Sequence, residues 1–589
     1  MAAQADGDLF LGVEKSFGGR PWRSRLADDR AALAVAQCAG VPDIVARVLA
    51  GRGVAADAAQ SYLHPTLRDL MPDPSTLADM DAAVARLVEA VRADRPIAVF
   101  GDYDVDGATS AALLDRYLTA VGAETRVYIP DRVREGYGPN APALRRLRDA
   151  GADVAVTVDC GTSAYDALAE ARDFGLDVIV VDHHLAEARL PDCVALVNPN
   201  RLDDHSGQGA LAAVGVTFLL VVALNRALRG AGWFATRREP DLLQWLDLVA
   251  LGTVCDMVPL TGLNRALVAQ GLKVMARRGN PGLVALADVA KLDARPGTYH
   301  AGFVFGPRIN AGGRVGQADM GYRLLTSDDP VEVAELARQL DRYNAERKAI
   351  ESTTVEAALA QADDEGPLIM VGGEGWHPGV IGLVASRLGN RFDRPAIAIA
   401  WDGDVGKGSA RSVPGIDIGA AITAARQAGL LVNGGGHPMA AGLTVQRRRY
   451  DELRDFLRER VAARAADRPP PGLRLDGALT VSAATRELLE TLEQAGPYGS
   501  GNPEPRFAFS GVRAVRADIV GENHVRCVFA GREGGRLKGI AFRRAGEPLG
   551  QALLAAREPL HVAGHLRPDD WQGRNDVQLF IDDAAPAVA

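Results

Sequence analysis

The chain has 589 residues, of which 47% are hydrophobic and 24% are charged. Because a single hydrophobic core stops growing beyond about 250–300 residues, this length predicts several domains, and the composition excludes a mainly disordered, fibrous or membrane protein. The 66 basic and 75 acidic residues give a net charge of −9, so overall charge does not indicate a nucleic-acid-binding protein. A basic groove on one face remains compatible with that charge, because net charge says nothing about its distribution.

No segment of the sequence indicates export or membrane insertion. The five cysteines are scattered without a CxxC pair, which is typical of a reducing compartment. The first residues lack a basic stretch followed by an apolar run of signal-peptide length. The longest apolar stretch, 210–224, is shorter than the ~20 residues that span a bilayer and predicts a buried helix. We therefore expect a cytoplasmic protein.

The first half of the chain predicts a helical extension followed by an α/β domain. Residues 1–90 contain helical pieces separated by Pro and Gly, without a chemical signature. In residues 91–325, short β-rich runs alternate with helical segments at first, and the chain becomes largely helical after Gly230. This alternation predicts a doubly wound parallel sheet. Its expected strands are 97–100, 125–129, 154–158 and 178–181.

The second half predicts a connecting helix and two further domains. Residues 330–363, within a connecting segment 326–365, contain no Gly or internal Pro and predict one helix of ~50 Å. A second α/β domain is expected over 366–468, with strands at 367–373 and 396–401 and an end at three consecutive prolines from Pro469. Residues 469–589 consist of short β-type runs separated by turns, which predict a small barrel or sandwich.

Acidic and imidazole side chains follow three of the predicted strands directly. Ligands of an open α/β sheet bind beyond the carboxyl ends of its strands, so these groups are aimed at one region. A further acid, Asp256, ends an apolar helix and could complete the cluster. The residues that follow the strands are Asp102, Asp104 and Asp106 after the first, Asp159 after the third, and Asp182, His183 and His184 after the fourth.

This cluster predicts a binuclear metal centre. Carboxylates brought together repel one another, and a divalent cation relieves the repulsion. A mixed Asp and His set suits Mn²⁺ or Mg²⁺, and two such ions ~3.5–4 Å apart hydrolyse phosphoesters. Taken alone, each Asp is more commonly a helix N-cap, and neighbouring histidines are more commonly structural. The convergence of three strand ends favours the metal.

Three glycine-rich segments predict a phosphate-binding surface facing the metal centre. They are 306–314 with two arginines, 406–412 with Lys407, Ser409 and Arg411, and 433–442 with three glycines before His437. Glycines let backbone N–H groups approach a phosphate, and arginine binds it in a bidentate manner. Each segment alone could equally be a simple turn.

Aromatic residues interleave with arginines in the C-terminal β region. This composition indicates a surface that stacks bases and follows a phosphate backbone, although each aromatic could equally belong to the core. The aromatic residues concerned are Phe507, Phe529, Phe542, Trp571 and Phe580.

The motifs together resemble a known superfamily. VFGDYDVDGATS (99–110), VTVDCGTSA (156–164), VDHHL (181–185) and ALGTVCDMVPL (250–260) are similar to the four motifs of the DHH phosphoesterases, and GGGHPMAAG (434–442) resembles the signature of the DHHA1 domain. With segments 306–314 and 496–505, the resemblance narrows to the branch of single-stranded-DNA-specific 5′→3′ exonucleases. It implies a DHH domain, a connecting helix, a DHHA1 domain and a C-terminal all-β OB-fold. Many DHH proteins have a His where this chain has Phe100, but the exonuclease branch shares its GDYD form.

The resemblance also implies a role for each candidate residue. His184 would be the catalytic imidazole, Asp182 would orient the histidine pair and Asp102 would lie close by. The metal ligands would be Asp104, Asp106, Asp159, His183 and Asp256. The DNA phosphates would be bound by Arg132, Arg308, Arg314, Ser409, Arg411 and His437.

The implied activity is metal-dependent release of 5′-mononucleotides from single-stranded DNA in repair and recombination, with two Mn²⁺ or Mg²⁺ ions. A single-strand-binding protein and a RecQ-type helicase are the implied partners, and the chain is expected to be a monomer. Related oligoribonucleases, cyclic-dinucleotide phosphodiesterases and pyrophosphatases lack an OB-fold tail. A non-catalytic DNA-binding scaffold is the alternative from another class, and it would show gaps among the acids, whereas here all are present.

Overall fold

The computed structural model describes residues 9–132, 134–362, 365–465, 472–569 and 576–587. Two compact units divide the chain. The first unit comprises Met1–Leu70, Pro259–Ala266 and Pro469–Ala589, and the second comprises Met71–Val258 and Leu267–Arg468. The two ends of the chain therefore share one unit. The prolines from Pro469 and the aromatic Trp571 lie outside the described residues.

The N-terminal part of the first unit is helical, as the sequence predicts, but it also contains a short strand, β1 (Trp22–Ser24). Asp28 caps the first of its longer helices by accepting a hydrogen bond from the backbone N–H of Arg30. The helix Met80–Arg92, by contrast, belongs to the second unit. The helices of residues 9–70 are Asp29–Ala39, Asp43–Gly51, Ala59–Leu63 and Leu67–Leu70.

The second unit contains a five-stranded parallel sheet, which confirms the predicted α/β class. Its strands run in the order β3-β2-β4-β5-β6. β2 and β4 are buried along their whole length, since helices cover both faces. The three residues of β6 are too few to give a pattern, and this strand was not predicted. The strands are β2 (Ile97–Gly101), β3 (Thr125–Tyr128), β4 (Val154–Val158), β5 (Asp177–Val181) and β6 (Ala195–Val197).

Helices surround this sheet and lead on to the next domain. Ala213–Gly230 is long and apolar enough to cross a membrane by composition, but 72% of it is buried, so it is a core helix. The predicted connecting helix is confirmed as Pro330–Gln361, 32 residues or ~48 Å. The other helices are Val105–Ala120, Ala141–Asp149, Tyr165–Asp173, Leu246–Cys255, Gly262–Met275, Pro281–Val289, Thr298–His300, Gly306–Val315 and Met320–Thr326, with a π-helical segment at Ala301–Phe305.

A mixed five-stranded sheet follows in the same unit, in the order β10-β11-β9-β8-β7, with only the β7–β8 pair parallel. Two glycine-rich segments form β9, β10 and β11, so most of their backbone N–H groups face neighbouring strands and not a phosphate. The strands are β7 (Ile369–Glu374), β8 (Ala396–Asp402), β9 (Val405–Arg411), β10 (Asn433–His437) and β11 (Ala440–Gln446). Its helices are Ile381–Phe392, Ile418–Gln427 and Tyr450–Ala465.

The C-terminal part of the first unit is a closed barrel, which confirms the predicted all-β domain. The strands pair in the order β14-β15-β16-β18-β17, and β17 also pairs with β14. Phe507 and Phe529 are buried in its core, whereas Phe542 is 47% exposed. The strands are β12 (Leu473–Leu475), β13 (Gly477–Leu479), β14 (Phe507–Val520), β15 (His524–Ala530), β16 (Arg536–Ala541), β17 (Leu560–Asp569) and β18 (Asp576–Pro586), with helices Arg486–Glu493 and Pro548–Ala555.

The N-terminal segment is tied to this barrel by a buried carboxylate. β1 pairs with β12 in parallel. Asp583, on β18, accepts hydrogen bonds from Ser16 Oγ at 2.6 Å, Trp22 Nε1 at 3.2 Å and the backbone N–H of Gly18 at 3.0 Å. These donors satisfy a fully buried carboxylate and so hold residues 16–22 against strand β18.

Candidate active site

The structure brings the predicted acidic and imidazole groups together at the carboxyl ends of β2, β4 and β5. His183 Nε2 lies 3.4 Å from an oxygen of Asp159, 3.7 Å from one of Asp256 and 3.9 Å from one of Asp106. Among the described residues, three groups of side chains each bring their potential ligand atoms within 4.8 Å of one another. They are Asp102, Asp104 and Asp159; Asp106, His183 and Asp256; and Asp159, His183 and His184.

Four carboxylates of this cluster are destabilised as anions. Burial and the repulsion of neighbouring carboxylates raise the pKa of Asp106 to about 7 and that of Asp256 to about 9. The same causes raise the pKa of Asp102 and Asp159 well above the usual range. Within the described residues, Asp102 Oδ1 and Asp256 Oδ2 are buried without a hydrogen-bond partner. Oxygen-rich, uncompensated clusters of this kind fit divalent cations.

His183 has the protonation state that a metal ligand requires. Its Nδ1 lies 3.1 Å from the carbonyl oxygen of Leu211, which accepts the ring N–H. The lone pair of Nε2 is therefore directed at the carboxylates. Burial and the nearby charge of His184 lower the pKa of His183 to about 4, so the ring is neutral at neutral pH.

Asp182 forms hydrogen bonds with both His183 and His184. Its Oδ1 accepts hydrogen bonds from the backbone N–H of His183 at 2.8 Å and of His184 at 3.2 Å, and lies 2.7 Å from His184 Nδ1. Its Oδ2 accepts a hydrogen bond from Thr162 N. Burial opposes its ionisation, but the pairing with His184 holds the pKa of Asp182 well below the usual range. Burial would likewise lower the pKa of His184, and the pairing raises it instead to about 9.

Two of the acids serve as helix caps as well. Asp104 Oδ1 accepts hydrogen bonds from the N–H groups of Asp106 and Gly107 at the start of Val105–Ala120. The two oxygens of Asp106 accept from Ala213 N at 2.7 Å and Val214 N at 3.0 Å, where the core helix begins. The N-cap interpretation and the metal-ligand interpretation are therefore compatible, because Asp104 keeps its Oδ2 outside the cap.

Backbone strain accompanies this cluster at Asp159. Its φ of 62° lies in the left-handed region, which a non-glycine residue rarely adopts. The backbone N–H of Asp159 still bonds to the carbonyl of Val181 on the neighbouring strand. The strained turn therefore aims the carboxylate at His183 while the sheet pairing continues, which is typical of functional sites.

One cavity of about 850 Å³ joins this cluster to a set of arginines. Arg132, Arg314 and Arg411 line it together with Ser409. Burial and mutual repulsion lower the pKa of Arg314 to about 9, and burial and Arg132 lower that of Arg411. Partly buried guanidinium groups that repel one another fit an anion such as phosphate.

The arginine side chains are held in place by specific contacts. Arg314 Nη1 donates to the carbonyl oxygen of Gly379 at 2.9 Å, and Arg411 Nη1 donates to Ser409 Oγ at 3.0 Å. The guanidinium of Arg132 lies 4.9 Å from the ring centroid of Tyr103. These contacts hold each guanidinium-bearing side chain at the wall of the cavity.

His437, on the second sheet, lies next to the histidines of the parallel sheet. Its ring stacks on that of His184, with 5.5 Å between centroids and 24° between planes. Strand β10 ends at His437, so the glycine-rich segment delivers this ring to the carboxyl ends of the parallel strands.

Arg308, which the sequence interpretation assigned to the DNA phosphates, does not line this cavity. It hydrogen-bonds to Asp341 Oδ1 on the connecting helix at 2.9 Å and to the carbonyl of Val304 at 2.8 Å. Segment 306–314 is a helix and not a glycine-rich loop. Six residues along a helix turn by about 600°, so Arg308 and Arg314 point about 120° apart.

Several cavity residues escaped the sequence analysis. Tyr137 Oη donates to the carbonyl of Asp159 at 3.0 Å and lies 3.2 Å from His184 Nδ1. Tyr103 and Asn310 lie inside the segments 99–110 and 306–314, so the sequence could have indicated them as candidate site residues. Ser386 and Asn390 lie on the helix Ile381–Phe392, whose sequence has no chemical pattern.

Family models match three parts of the chain. The DHH family N-terminal domain matches residues 96–253, the DHHA1 domain matches residues 365–463 and the RecJ OB domain matches residues 475–583. The last two ranges agree with the second sheet and the barrel.

Several relatives are similar to this chain over most of their length. The single-stranded-DNA-specific exonuclease RecJ of Dickeya dadantii is 38% identical over 563 residues, which cover 93% of this chain and 96% of the relative. The protein of that name from Escherichia coli is 36% identical over 573 residues, covering 93% and 96%. The crystal structure of RecJ in complex with Mn²⁺ from Thermus thermophilus has a TM-score of 0.81 at 31% identity, covering 96% of this chain and 79% of that chain. Its complex with Mg²⁺ has a TM-score of 0.75 at 30% identity, covering 96% and 78%.

Proposed function

This chain belongs to the RecJ family, and from that membership we propose that it is a metal-dependent exonuclease of single-stranded DNA. It hydrolyses the strand from the 5′ end, releases 5′-mononucleotides and acts in DNA repair and recombination. Its cofactors are two Mn²⁺ or Mg²⁺ ions. The observation that carries this proposal is one cavity lined both by members of the carboxylate and histidine cluster and by three partly buried arginines.

The ligands of the two ions are Asp104, Asp106, Asp159, His183 and Asp256, with Asp102 beside them. When bound, the ions supply a hydroxide from water near neutral pH and offset the charge of the phosphodiester. Their charge would also relieve the repulsion that otherwise raises the pKa of Asp102, Asp106, Asp159 and Asp256. The family relatives solved with Mn²⁺ and with Mg²⁺ support the choice of cofactor.

His184 faces the scissile phosphate as an imidazolium. Its pairing with Asp182 keeps the ring charged at neutral pH and fixes its orientation. A cation in this position stabilises the negative charge that develops on the phosphorane oxygens in the transition state. Asp182 is thus a positioning residue, and His437 extends the imidazole surface toward the substrate.

Arg132, Arg314, Arg411 and Ser409 bind the phosphates at the 5′ end of the strand. An enzyme that holds a terminal phosphate beside its metal centre cuts from that end, which gives the polarity. Arg308 is left out of this set because Asp341 already pairs with it.

The barrel binds the single strand downstream, with the exposed Phe542 stacking on bases.

We further propose a cytoplasmic monomer that works with a single-strand-binding protein and a RecQ-type helicase. The domain boundaries proposed from the sequence at 90/91, 325/326, 365/366 and 468/469 remain part of this proposal.

The test uses an oligonucleotide labelled at its 3′ end, with Mn²⁺ or Mg²⁺, beside the same sequence as a duplex. We expect progressively shorter labelled fragments from the single strand only. Asp159→Ala should abolish the ladder and retain DNA binding, while Asp192→Asn, an exposed acid paired with Arg172, should behave as wild type. Cleavage restricted to very short oligomers would make the enzyme an oligonucleotidase, and no cleavage with either metal would favour the non-catalytic scaffold.

A further inference from the structure

A second, smaller cavity adjoins the arginine side of the active site. Its volume is about 150 Å³, and Arg132 and Arg314 line both cavities. Arg134 and His377 line only the smaller one. The two cavities are therefore neighbours that share a pair of guanidinium-bearing residues as their common wall.

The lining of the small cavity is rich in hydrogen-bond donors. His377 Nδ1 accepts the backbone N–H of Gly379 at 3.0 Å, which leaves Nε2 as the donor atom of the ring. The one acid, Asp131, accepts the backbone N–H of Arg134 within a turn. Three arginines and one acid leave a formal charge of +2, and burial together with repulsion from Arg132 already lowers the pKa of Arg314. This charge calls for an anion.

The size of the cavity restricts which anion fits. Pockets for whole small molecules measure about 300–1,000 Å³, a range that includes the large cavity and excludes the small one. A nucleoside is therefore too large, whereas a phosphoryl group is compact and tetrahedral and accepts hydrogen bonds on every side.

We propose that this cavity is a subsite for a phosphoryl group beyond the terminal phosphate, so that the enzyme accepts strands with a 5′-diphosphate or 5′-triphosphate. The inference rests on the proposed function, in which Arg132 and Arg314 bind the 5′-terminal phosphate. Further phosphoryl groups of the same end then extend past these arginines to Arg134 and His377.

The chemistry of such an end gives a distinctive product. Water adds to the phosphorus of the first phosphodiester, and the 3′ oxygen of the terminal nucleotide leaves and takes a proton. The first product is then an intact deoxynucleoside 5′-triphosphate, and the remaining strand carries a 5′-monophosphate. The anhydride bonds are not touched.

The experiment compares one oligonucleotide with a 5′-monophosphate or a 5′-triphosphate, digested by the full-length enzyme with Mn²⁺. Mass spectrometry identifies the first product, and kcat/KM is measured for each end. Arg134→Ala should lower kcat/KM for the triphosphate about tenfold, the effect of one charge-assisted hydrogen bond, and change the monophosphate value less than about twofold. Arg126→Ala is the matched control, because Arg126 is an exposed arginine paired with Glu124 on the same domain. Equal losses for both ends in Arg134→Ala, or no triphosphate product from wild type, would overturn the proposal.

The phosphoryl group in this cavity could belong to the 5′ end of a strand or to free phosphate, and experiments with inorganic phosphate and pyrophosphate distinguish these two sources. If the cavity instead binds free phosphate, inorganic phosphate should inhibit digestion of the monophosphate strand by the wild-type enzyme and inhibit Arg134→Ala less. The triphosphate strand would then not be cut. This combination of results would overturn the proposal. Binding of pyrophosphate, measured by calorimetry, should weaken about tenfold in Arg134→Ala. The calorimetric measurement tests the cavity independently of nuclease activity. If the wild-type enzyme fails to digest the monophosphate strand, that failure refutes the proposed function and not the phosphoryl subsite.

Discussion

Replacing Asp182 by Asn tests how the histidine pair is positioned. The exchange keeps the shape of the side chain and removes its charge. Asp182 accepts four hydrogen bonds, three on Oδ1 from the histidine pair and one on Oδ2 from Thr162. An amide cannot accept on both sides, so one donor, in a fully buried position, loses its acceptor.

The size of the effect follows from these contacts. Hydrogen bonds to a charged group contribute about 1.5–3 kcal/mol each, and residues that hold metal ligands typically change activity or metal affinity by about 10- to 100-fold. We therefore expect Asp182→Asn to lower kcat by about 10- to 100-fold. The KM for single-stranded DNA should change little, because Asp182 does not line the arginine-bearing cavity.

The pH dependence of stability supplies a second readout. Burial alone would lower the pKa of His184 from 6.5, and Asp182 raises it to about 9. A raised pKa contributes stability below pH 6.5, and this contribution is lost as the pH rises to about 9. In the metal-free protein, the difference in unfolding midpoint between wild type and Asp182→Asn should therefore shrink across this range.

The assay is steady-state digestion of a 5′-phosphorylated oligonucleotide over a range of Mn²⁺ concentrations, beside urea unfolding of the metal-free protein. Asp192→Asn serves as the matched control, since Asp192 is exposed and pairs with Arg172. A kcat within about twofold of wild type, at the same Mn²⁺ requirement, would refute the argument that Asp182 positions the active-site histidines.

Three further substitutions probe other parts of the chain. In Gly382→Ala, the new Cβ would lie 2.9 Å from Arg411 Nη2 and would displace this guanidinium. The KM for a 5′-phosphorylated strand should therefore rise about tenfold with kcat retained. An unchanged KM would contradict a phosphate role for Arg411. Asp583→Asn leaves a buried donor of the N-terminal segment unpaired and should lower the unfolding free energy of the first unit by about 1–3 kcal/mol in urea; a smaller loss would mean that the chain ends are held otherwise. Phe542→Ala should weaken binding of single-stranded DNA by about 1–3 kcal/mol in fluorescence anisotropy, and equal affinities would remove Phe542 from the DNA surface.

The parallel sheet and its acidic edge could be predicted because local patterns report them directly. Runs of apolar residues without polar alternation mark strands buried on both faces, and the acids follow these runs in the sequence itself. The glycine-rich strands could not be predicted, because glycine disfavours strands. In β9, the space at Gly406 and Gly408 is filled by side chains from neighbouring strands, among them Trp401 and Leu443, so the preference is overridden by cross-strand packing.

The sequence by itself determined the domain order, the nature of the metal-binding groups and the edge of the sheet where they lie, since strand ends and helix lengths are local properties. Only the tertiary structure decided which cations face the substrate: Arg314 points into the cavity, whereas Arg308 points to Asp341. It also placed His437 against His184, more than 200 positions away in the chain, and brought the helix Ile381–Phe392 to the same cavity. The physical reason is that helix phase and the docking of distant segments depend on how whole faces pack, and local periodicity carries no information about the partner of a face.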